Sequence, residues 1–155
     1  MFVGYLTPDG KVFDKKWKFT KIYGLDADEK IIGKDDTFHC GCILTGWKSS
    51  GRGVFEGGEG TLIKTNKKII FMGSRRPMEE FRGFFPVAIV KVLQLRKLRN
   101  KGIREYFEIP LVEIYGQRKG IIGPERLCIL HNDKKYSLGL PKKSEILDDL
   151  LKRKI

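Results

Sequence analysis

The sequence has few cysteines, few side-chain amides and no long apolar run. Three cysteines in 155 residues do not supply the disulfide framework of a small secreted domain. The longest apolar stretch, residues 84–95, contains Pro86 and Lys91 and is shorter than the roughly 20 residues that a membrane-spanning helix needs. The first residues lack the basic start and apolar segment of a signal peptide. We therefore expect a cytoplasmic protein, with a peripheral membrane location as the variant to test.

Charge of one sign dominates the composition. Lys and Arg number 31 against 19 Asp and Glu, which gives a net charge of +12. Such an excess favours an acidic partner: nucleic acid, an anionic membrane surface or an acidic protein. The alternative is a solvated charged surface of the kind that thermophile proteins carry, and the scarcity of Asn and Gln fits that alternative.

The order of apolar residues and turn signals predicts short strands. Pro8-Asp9-Gly10, Asn66-Lys67 and Asn132-Asp133 are turn sequences between apolar segments, and each predicts a hairpin. We expect residues 1–24 to form an N-terminal hairpin, residues 24–36 to be an acidic connection, and the β pattern to resume at Thr37.

Two segments favour helices. After Pro141, Ser144 is a helix cap, and the apolar residues from Ile146 to Leu151 fall at helical spacing. Residues 87–99 are ambiguous, because Pro86 suits a helix start and Gly102 a helix end, whereas the β-branched residues between them favour a strand.

Three short motifs carry a resemblance to a known family. Residues 58–71, GEGTLIKTNKKIIF, resemble the central hairpin of GRAM domains and of bacterial or archaeal pleckstrin-homology-like domains. Residues 25–31, LDADEKI, resemble the acidic entry to their first strand, and residues 107–114, FEIPLVEI, resemble their fourth strand. The resemblance covers roughly residues 25–155.

The resemblance implies an α+β, mostly β fold: a strongly bent antiparallel sheet or barrel of seven strands, capped by a C-terminal helix. Residues 1–24 would then be a hairpin extension, and residues 74–104 an insertion into the domain at 25–155. Members of this family commonly bind membranes, phosphoinositides or proteins, and the fold is not itself catalytic. We expect a non-catalytic binding module, because no catalytic signature surrounds either histidine of the chain, His39 or His131.

The basic, acid-free segment from Arg82 to Arg104 is the first candidate site. It combines apolar and cationic residues, as interfacial membrane binding requires, but the apolar part equally suits a core element or a dimer surface. The second candidate is the loop at residues 48–53, which contains glycines and two cations. It resembles the ligand loop of lipid-binding members of this family. Together the candidate lipid-binding or partner-binding residues are Lys48, Arg52, Arg82, Phe84, Phe85, Lys91, Arg96, Lys97, Arg99, Lys101 and Arg104.

The alternative partner is nucleic acid, bound by the N-terminal arm. There, aromatic residues (Trp17, Phe19, Tyr23) alternate with basic ones, and exposed rings and lysines of this kind stack bases and hold phosphates. The same pattern is also typical of a core hairpin with a lysine-rich outer face. The candidate residues are Lys15, Lys16, Trp17, Lys18 and Lys21.

Metal and cofactor sites are not expected. Cys40 and Cys42 lie on one face of a predicted strand, and zinc would need Cys128 or His131 to converge on them. Free cysteines more commonly pack as small apolar residues.

Overall fold

The computed structural model describes residues 1–39, 43–45, 53–55, 59–73, 97–98, 100–118 and 126–139. These residues form two antiparallel sheets, one of seven strands and one of five. The strands are β1 (Phe2–Leu6), β2 (Lys11–Asp14), β3 (Phe19–Ile22), β4 (Ile31–His39), β5 (Ile43–Thr45), β6 (Gly53–Phe55), β7 (Glu59–Thr65), β8 (Lys68–Gly73), β9 (Arg104–Pro110), β10 (Ile114–Arg118), β11 (Arg126–His131) and β12 (Lys134–Gly139). The larger sheet has the order β3-β2-β1-β9-β8-β7-β4, and the smaller one β10-β11-β12-β5-β6.

The three predicted hairpins are confirmed. β1 pairs with β2 around the turn that contains Pro8-Asp9-Gly10, where Gly10 has a φ of 81° that favours glycine. β7 pairs with β8 across Asn66-Lys67, and β11 pairs with β12 across Asn132-Asp133. Both residues of the last turn have positive φ, 49° and 61°, and Asn and Asp tolerate that conformation well.

The main core lies between the two sheets. Alternate side chains of the larger sheet point to one face, so that Phe71 of β8 stacks on Phe107 of β9 with ring centroids 5.1 Å apart. Both rings are fully buried. They pack in one cluster with residues of the smaller sheet, among them Leu127, Ile129 and Leu138. A smaller cluster, which includes Ile70 and Tyr106, occupies the opposite face of the larger sheet.

The predicted fold class was wrong in its architecture. We expected one strongly bent sheet or barrel capped by a helix, whereas the residues described here form two separate sheets packed through a shared apolar core. The short apolar runs of β11 and β12 were read correctly as strands. Which sheet they join depends on pairing with β5, a contact distant in the chain. The predicted C-terminal helix lies at residues 141–154, outside the described residues, and within them no helix follows β12.

The N-terminal strands are integral to the larger sheet. β1 lies between β2 and β9, with Val3 opposite Phe107, so that residues 1–22 supply three of its seven strands. The sequence offered no sign of this pairing, because it joins residues about 100 positions apart. The expected acidic connection at 24–36 is also shorter than predicted, since β4 already begins at Ile31.

The end of a helix is described at residues 97–98 and 100–102. Lys97, Leu98 and Asn100 are helical, and the amide of Ile103 donates to the carbonyl of Leu98 at 2.9 Å. Gly102 takes a φ of 75°, as expected for a helix that ends in a left-handed residue. The rest of the ambiguous segment 87–99 lies outside the described residues.

The packing of Phe107 predicts a large loss of stability on truncation. We expect Phe107→Ala to lower the free energy of unfolding by about 3–5 kcal/mol, because it removes a buried ring from the core between the sheets. Val112→Ala is the matched control, since Val112 is 93% exposed and its truncation should change stability by less than about 0.5 kcal/mol. Urea unfolding measures both, and equal midpoints for the two variants would contradict this packing.

Candidate nucleic-acid interface

The connection between β2 and β3 is a tight four-residue loop, residues 15–18. The amide of Trp17 donates to the carbonyl of Asp14, and the amide of Asp14 donates to the carbonyl of Lys18, each at 3.0 Å. The Asp14 carboxylate also accepts hydrogen bonds from the amides of Lys16, at 2.8 Å, and Lys18, at 2.9 Å. One aspartate therefore fixes the whole loop from within.

Trp17 occupies the strained position of this loop. Its φ is 64°, in the left-handed region where hairpins of this type normally carry glycine. A bulky side chain there costs of order 1–3 kcal/mol, and residues held in this way concentrate at functional sites. The strain therefore marks Trp17 as a candidate functional residue.

The rings around Trp17 form a continuous aromatic surface. The indole lies parallel to the ring of Tyr5, with centroids 4.5 Å apart and planes within 3°. Phe13 lies 6.2 Å from Trp17, and Phe19 meets Phe13 edge-on at 6.0 Å. Trp17 is 44% exposed and Phe19 is 52% exposed. We call these four residues, Tyr5, Phe13, Trp17 and Phe19, the aromatic surface.

Strand pairing explains why these rings share one face. Tyr5 lies opposite Phe13 across β1 and β2, and Phe13 lies opposite Phe19 across β2 and β3. Val3, two residues before Tyr5 and so on the same face, packs against the core between the sheets. The aromatic surface therefore continues the core face of the larger sheet to its β3 edge, where rings remain open to solvent.

Lysines surround the aromatic surface. The exposed ones on β2, the loop and its exit are Lys11, Lys15, Lys16 and Lys18. Lys11 also pairs with Asp9 at 3.5 Å. Burial, and then the charge of Glu105, raise the pKa of Tyr5, so its phenol stays neutral beneath the indole. The arrangement offers flat apolar rings beside mobile positive charge.

Lys21, a candidate nucleic-acid contact, lies on the opposite face of the sheet from Phe19, because the pairing of β2 with β3 shifts register at a bulge between them. Its Nζ is 2.6 and 2.7 Å from the two carboxylate oxygens of Glu108. The Tyr106 hydroxyl donates to the same carboxylate, and Lys68 lies 3.4 Å from it. Lys21 therefore pairs with a buried carboxylate, and its contact with nucleic acid stays a prediction.

The Lys21–Glu108 pair requires a strongly curled sheet. Through the registers of β3, β2, β1 and β9, Lys21 is level with Val12, Leu6 and Arg104. In a flat sheet the backbones of Lys21 and Glu108 would be about 14 Å apart across the strands and about 13 Å apart along them. That separation exceeds the combined reach of the two side chains. The sheet must therefore twist and curl toward this face, as antiparallel sheets do.

Residues 23–30 cross the same concave face between the edge strands β3 and β4. The ring of Tyr23 meets Tyr106 edge-on at 6.1 Å. Further along, Glu29 accepts a hydrogen bond from the Thr65 hydroxyl at 2.6 Å and lies 3.6 Å from Lys68. Lys68 therefore lies between two buried carboxylates, Glu29 and Glu108. The buried polar network, as we call it, comprises Lys21, Glu29, Thr65, Lys68, Tyr106 and Glu108.

The candidate lipid site falls mostly outside the described residues. Of its eleven residues the structure describes Lys97, Lys101 and Arg104. The two lysines are exposed and Arg104 is half-buried. The remaining eight, from Lys48 to Arg99 along the chain, lie outside. No helix in the described ranges is long and apolar enough to cross a membrane.

The cysteine–histidine motif is likewise only partly described. Cys40 and Cys42 lie outside the described residues, Cys128 is a half-buried free thiol, and His131 contacts Glu113 at 2.9 Å. In the part of the chain that the structure covers, no group of three or more His, Cys, Asp or Glu side chains is placed to hold a metal ion.

Comparisons with known proteins found no match among protein-family models, curated proteins or solved structures. The resemblance to GRAM and pleckstrin-homology-like domains therefore has no support from relatives, and the fold that it implied is wrong.

Sequence reasoning found Trp17 and its lysines but missed Tyr5, Phe13 and Asp14. Tyr5 and Phe13 flank the Pro8-Asp9-Gly10 turn on the two arms of the predicted hairpin, so pairing the arms residue by residue would have placed them opposite each other. Asp14 lies three residues before a residue with positive φ, a spacing that carries no distinctive sequence signal.

The buried polar network predicts a specific acid sensitivity. Burial raises the pKa of Glu108, but hydrogen bonds from Lys21 and Tyr106 and the charges of Lys21 and Lys68 outweigh it and hold that pKa below its ordinary value. The stabilisation from this carboxylate is therefore complete above about pH 4.3, the ordinary pKa of Glu. It is lost as the pH falls through the lowered pKa.

We expect Glu108→Gln to lower stability at pH 7 by about 1–3 kcal/mol, because it removes a charge-assisted contact, and to flatten the loss of stability below pH 4.3. Urea unfolding between pH 7 and pH 2.5 measures both effects. Asp133→Asn, at an exposed turn, is the control and should keep the wild-type pH dependence. An equally steep acid response in Glu108→Gln would show that this carboxylate is not the group responsible.

Proposed function

We propose that this protein is a non-catalytic module that binds nucleic acid through the aromatic surface and the lysines around the β2–β3 loop. The observation that carries the proposal is the pair of half-exposed rings, Trp17 and Phe19, set between exposed lysines. Nucleic acid is the ligand that offers both a regular row of negative charges and flat apolar rings.

The exposure of the rings weighs against a purely structural hairpin. A core hairpin with a lysine-rich outer face would bury its aromatic residues, as Phe71 and Phe107 are buried elsewhere in the sheet. Here, in contrast, Trp17, Phe19 and Ile22 are exposed within six residues of one another. Exposed apolar groups concentrated in this way mark interaction sites in soluble proteins.

The net charge of +12 supports a polyanionic partner but does not select nucleic acid over an anionic membrane. The geometry of the rings favours nucleic acid. The four rings rest on strands and on one tight loop, and Trp17 is stacked on Tyr5, so they form a platform held in place by its neighbours. Insertion into a membrane instead requires apolar side chains that project freely into the lipid. We therefore take nucleic acid as the partner and make lipid an outcome of the test.

Replacing the loop lysines should weaken binding in a salt-dependent way. We expect Lys16→Gln/Lys18→Gln to reduce affinity for a fluorescent 20-nucleotide oligonucleotide and to reduce the slope of log K against log salt by up to about 1.4, at about 0.7 per lost phosphate contact on a single strand. Fluorescence anisotropy between 50 and 300 mM salt measures both quantities.

Lys134→Gln/Lys135→Gln is the matched control. These two exposed lysines lie on β12 of the smaller sheet, and replacing them removes the same amount of positive charge. Equal losses for the two double variants would mean that binding follows net charge alone. Binding to anionic vesicles, with no binding to the oligonucleotide at 50 mM salt, would overturn the proposal in favour of a membrane surface.

A further inference from the structure

We infer that the ligand is single-stranded and that an unpaired base stacks on the outer face of Trp17. This inference rests on the proposed function and names its substrate class and its contact. It depends on three features of the loop: the backbone conformation of Trp17, the support beneath its ring, and the way the loop is fixed.

The first feature is that tryptophan stands where the backbone favours glycine. At a φ of 64° glycine would relieve the strain because it has no Cβ, and it is the usual residue at this point of such a hairpin. The only other non-glycine residues with positive φ in the described ranges are Asn132 and Asp133, which tolerate this conformation. Tryptophan at position 17 therefore costs the fold stability that glycine would not cost. This points to a role for the indole ring itself.

The second feature is that, among the described residues, the indole has a parallel ring against one of its faces. Tyr5 covers its inner face at 4.5 Å and 3°, while the indole as a whole remains 44% exposed. Offset stacking is a favoured geometry for aromatic pairs, and a base on the outer face would extend the same stack by one ring. In a duplex both faces of each internal base are covered by neighbouring base pairs, so only an unpaired or terminal base can stack there.

The third feature is that the platform is fixed before any ligand binds. The Asp14 carboxylate accepts hydrogen bonds from the backbone amides of Lys16 and Lys18, the residues on either side of Trp17, and both of these lysines are exposed. Asp14 is therefore a positioning residue. A phosphate next to the stacked base would lie close to one of these lysines, so that stacking and charge act on one nucleotide.

The experiment compares three ligands of equal length: a thymidine 12-mer, its duplex with a deoxyadenosine 12-mer, and a 12-mer of abasic residues. Wild-type protein is expected to bind the thymidine 12-mer tightest. Trp17→Gly is the main variant, because glycine fits the backbone there and the variant should fold. It is expected to weaken binding of the thymidine strand about 5- to 140-fold, from a base–aromatic stacking free energy of ~1–3 kcal/mol at 1.4 kcal/mol per tenfold.

Two further variants separate stacking from folding. Trp17→Phe should keep most of the affinity, since a phenyl ring also stacks. Asn132→Gly makes the same kind of replacement at a turn residue of positive φ in the smaller sheet and should bind as wild type. Circular dichroism and thermal unfolding check that each variant is folded, and for abasic strands Trp17→Gly and wild type are expected to bind alike.

The outcomes distinguish the two proposals. If none of the three ligands binds, the proposed function fails and this inference with it. If they bind with the salt dependence of the loop lysines, but the duplex or the abasic strand binds as tightly as thymidine, or Trp17→Gly binds as wild type, nucleic-acid binding survives and base stacking on Trp17 is refuted.

Discussion

The ion pair between Lys21 and Glu108 ties the edge of the larger sheet to its centre. It joins edge strand β3 to β9, three strands away, and it forms only because the sheet curls. A buried carboxylate without partners is strongly unfavourable, so Glu108 must keep Lys21, Tyr106 and Lys68 around it. The same curl brings residues 23–30 across the concave face and places Glu29 against Lys68.

This arrangement gives the two faces of strands β1–β3 different roles. The concave face satisfies charge internally, through the buried polar network, and fixes the position of β3. The other face carries the aromatic surface and its exposed lysines. Because Lys21 and Phe19 belong to the same four-residue strand, an interaction that fixes one also fixes the other. The rigid side of the hairpin thus supports the side that we propose to bind ligand.

The conformation of Trp17 depends both on the local hydrogen bonds of its loop and on the pairing of distant strands. The loop is closed by hydrogen bonds within five residues, from Asp14 to Lys18, whereas the ring that supports the indole comes from β1. Trp17 is held in its strained conformation by both, which agrees with the general rule that such conformations persist only where their surroundings over-determine them. A hairpin isolated from β1 would keep the loop but lose the parallel stack.

The sequence by itself determined what depends on near neighbours. It predicted the three hairpin turns and the strands that flank them, because turn chemistry and alternation act within a few residues. It also pointed to Trp17 with Lys15, Lys16 and Lys18. Only the tertiary structure decided that β1 pairs with β9, that the strands divide into two sheets, and that Lys21 turns inward to Glu108 while its neighbours stay exposed. Those outcomes are set by pairing between residues up to about 100 positions apart and by the curl that buries a carboxylate, and neither leaves a periodic trace in the local sequence.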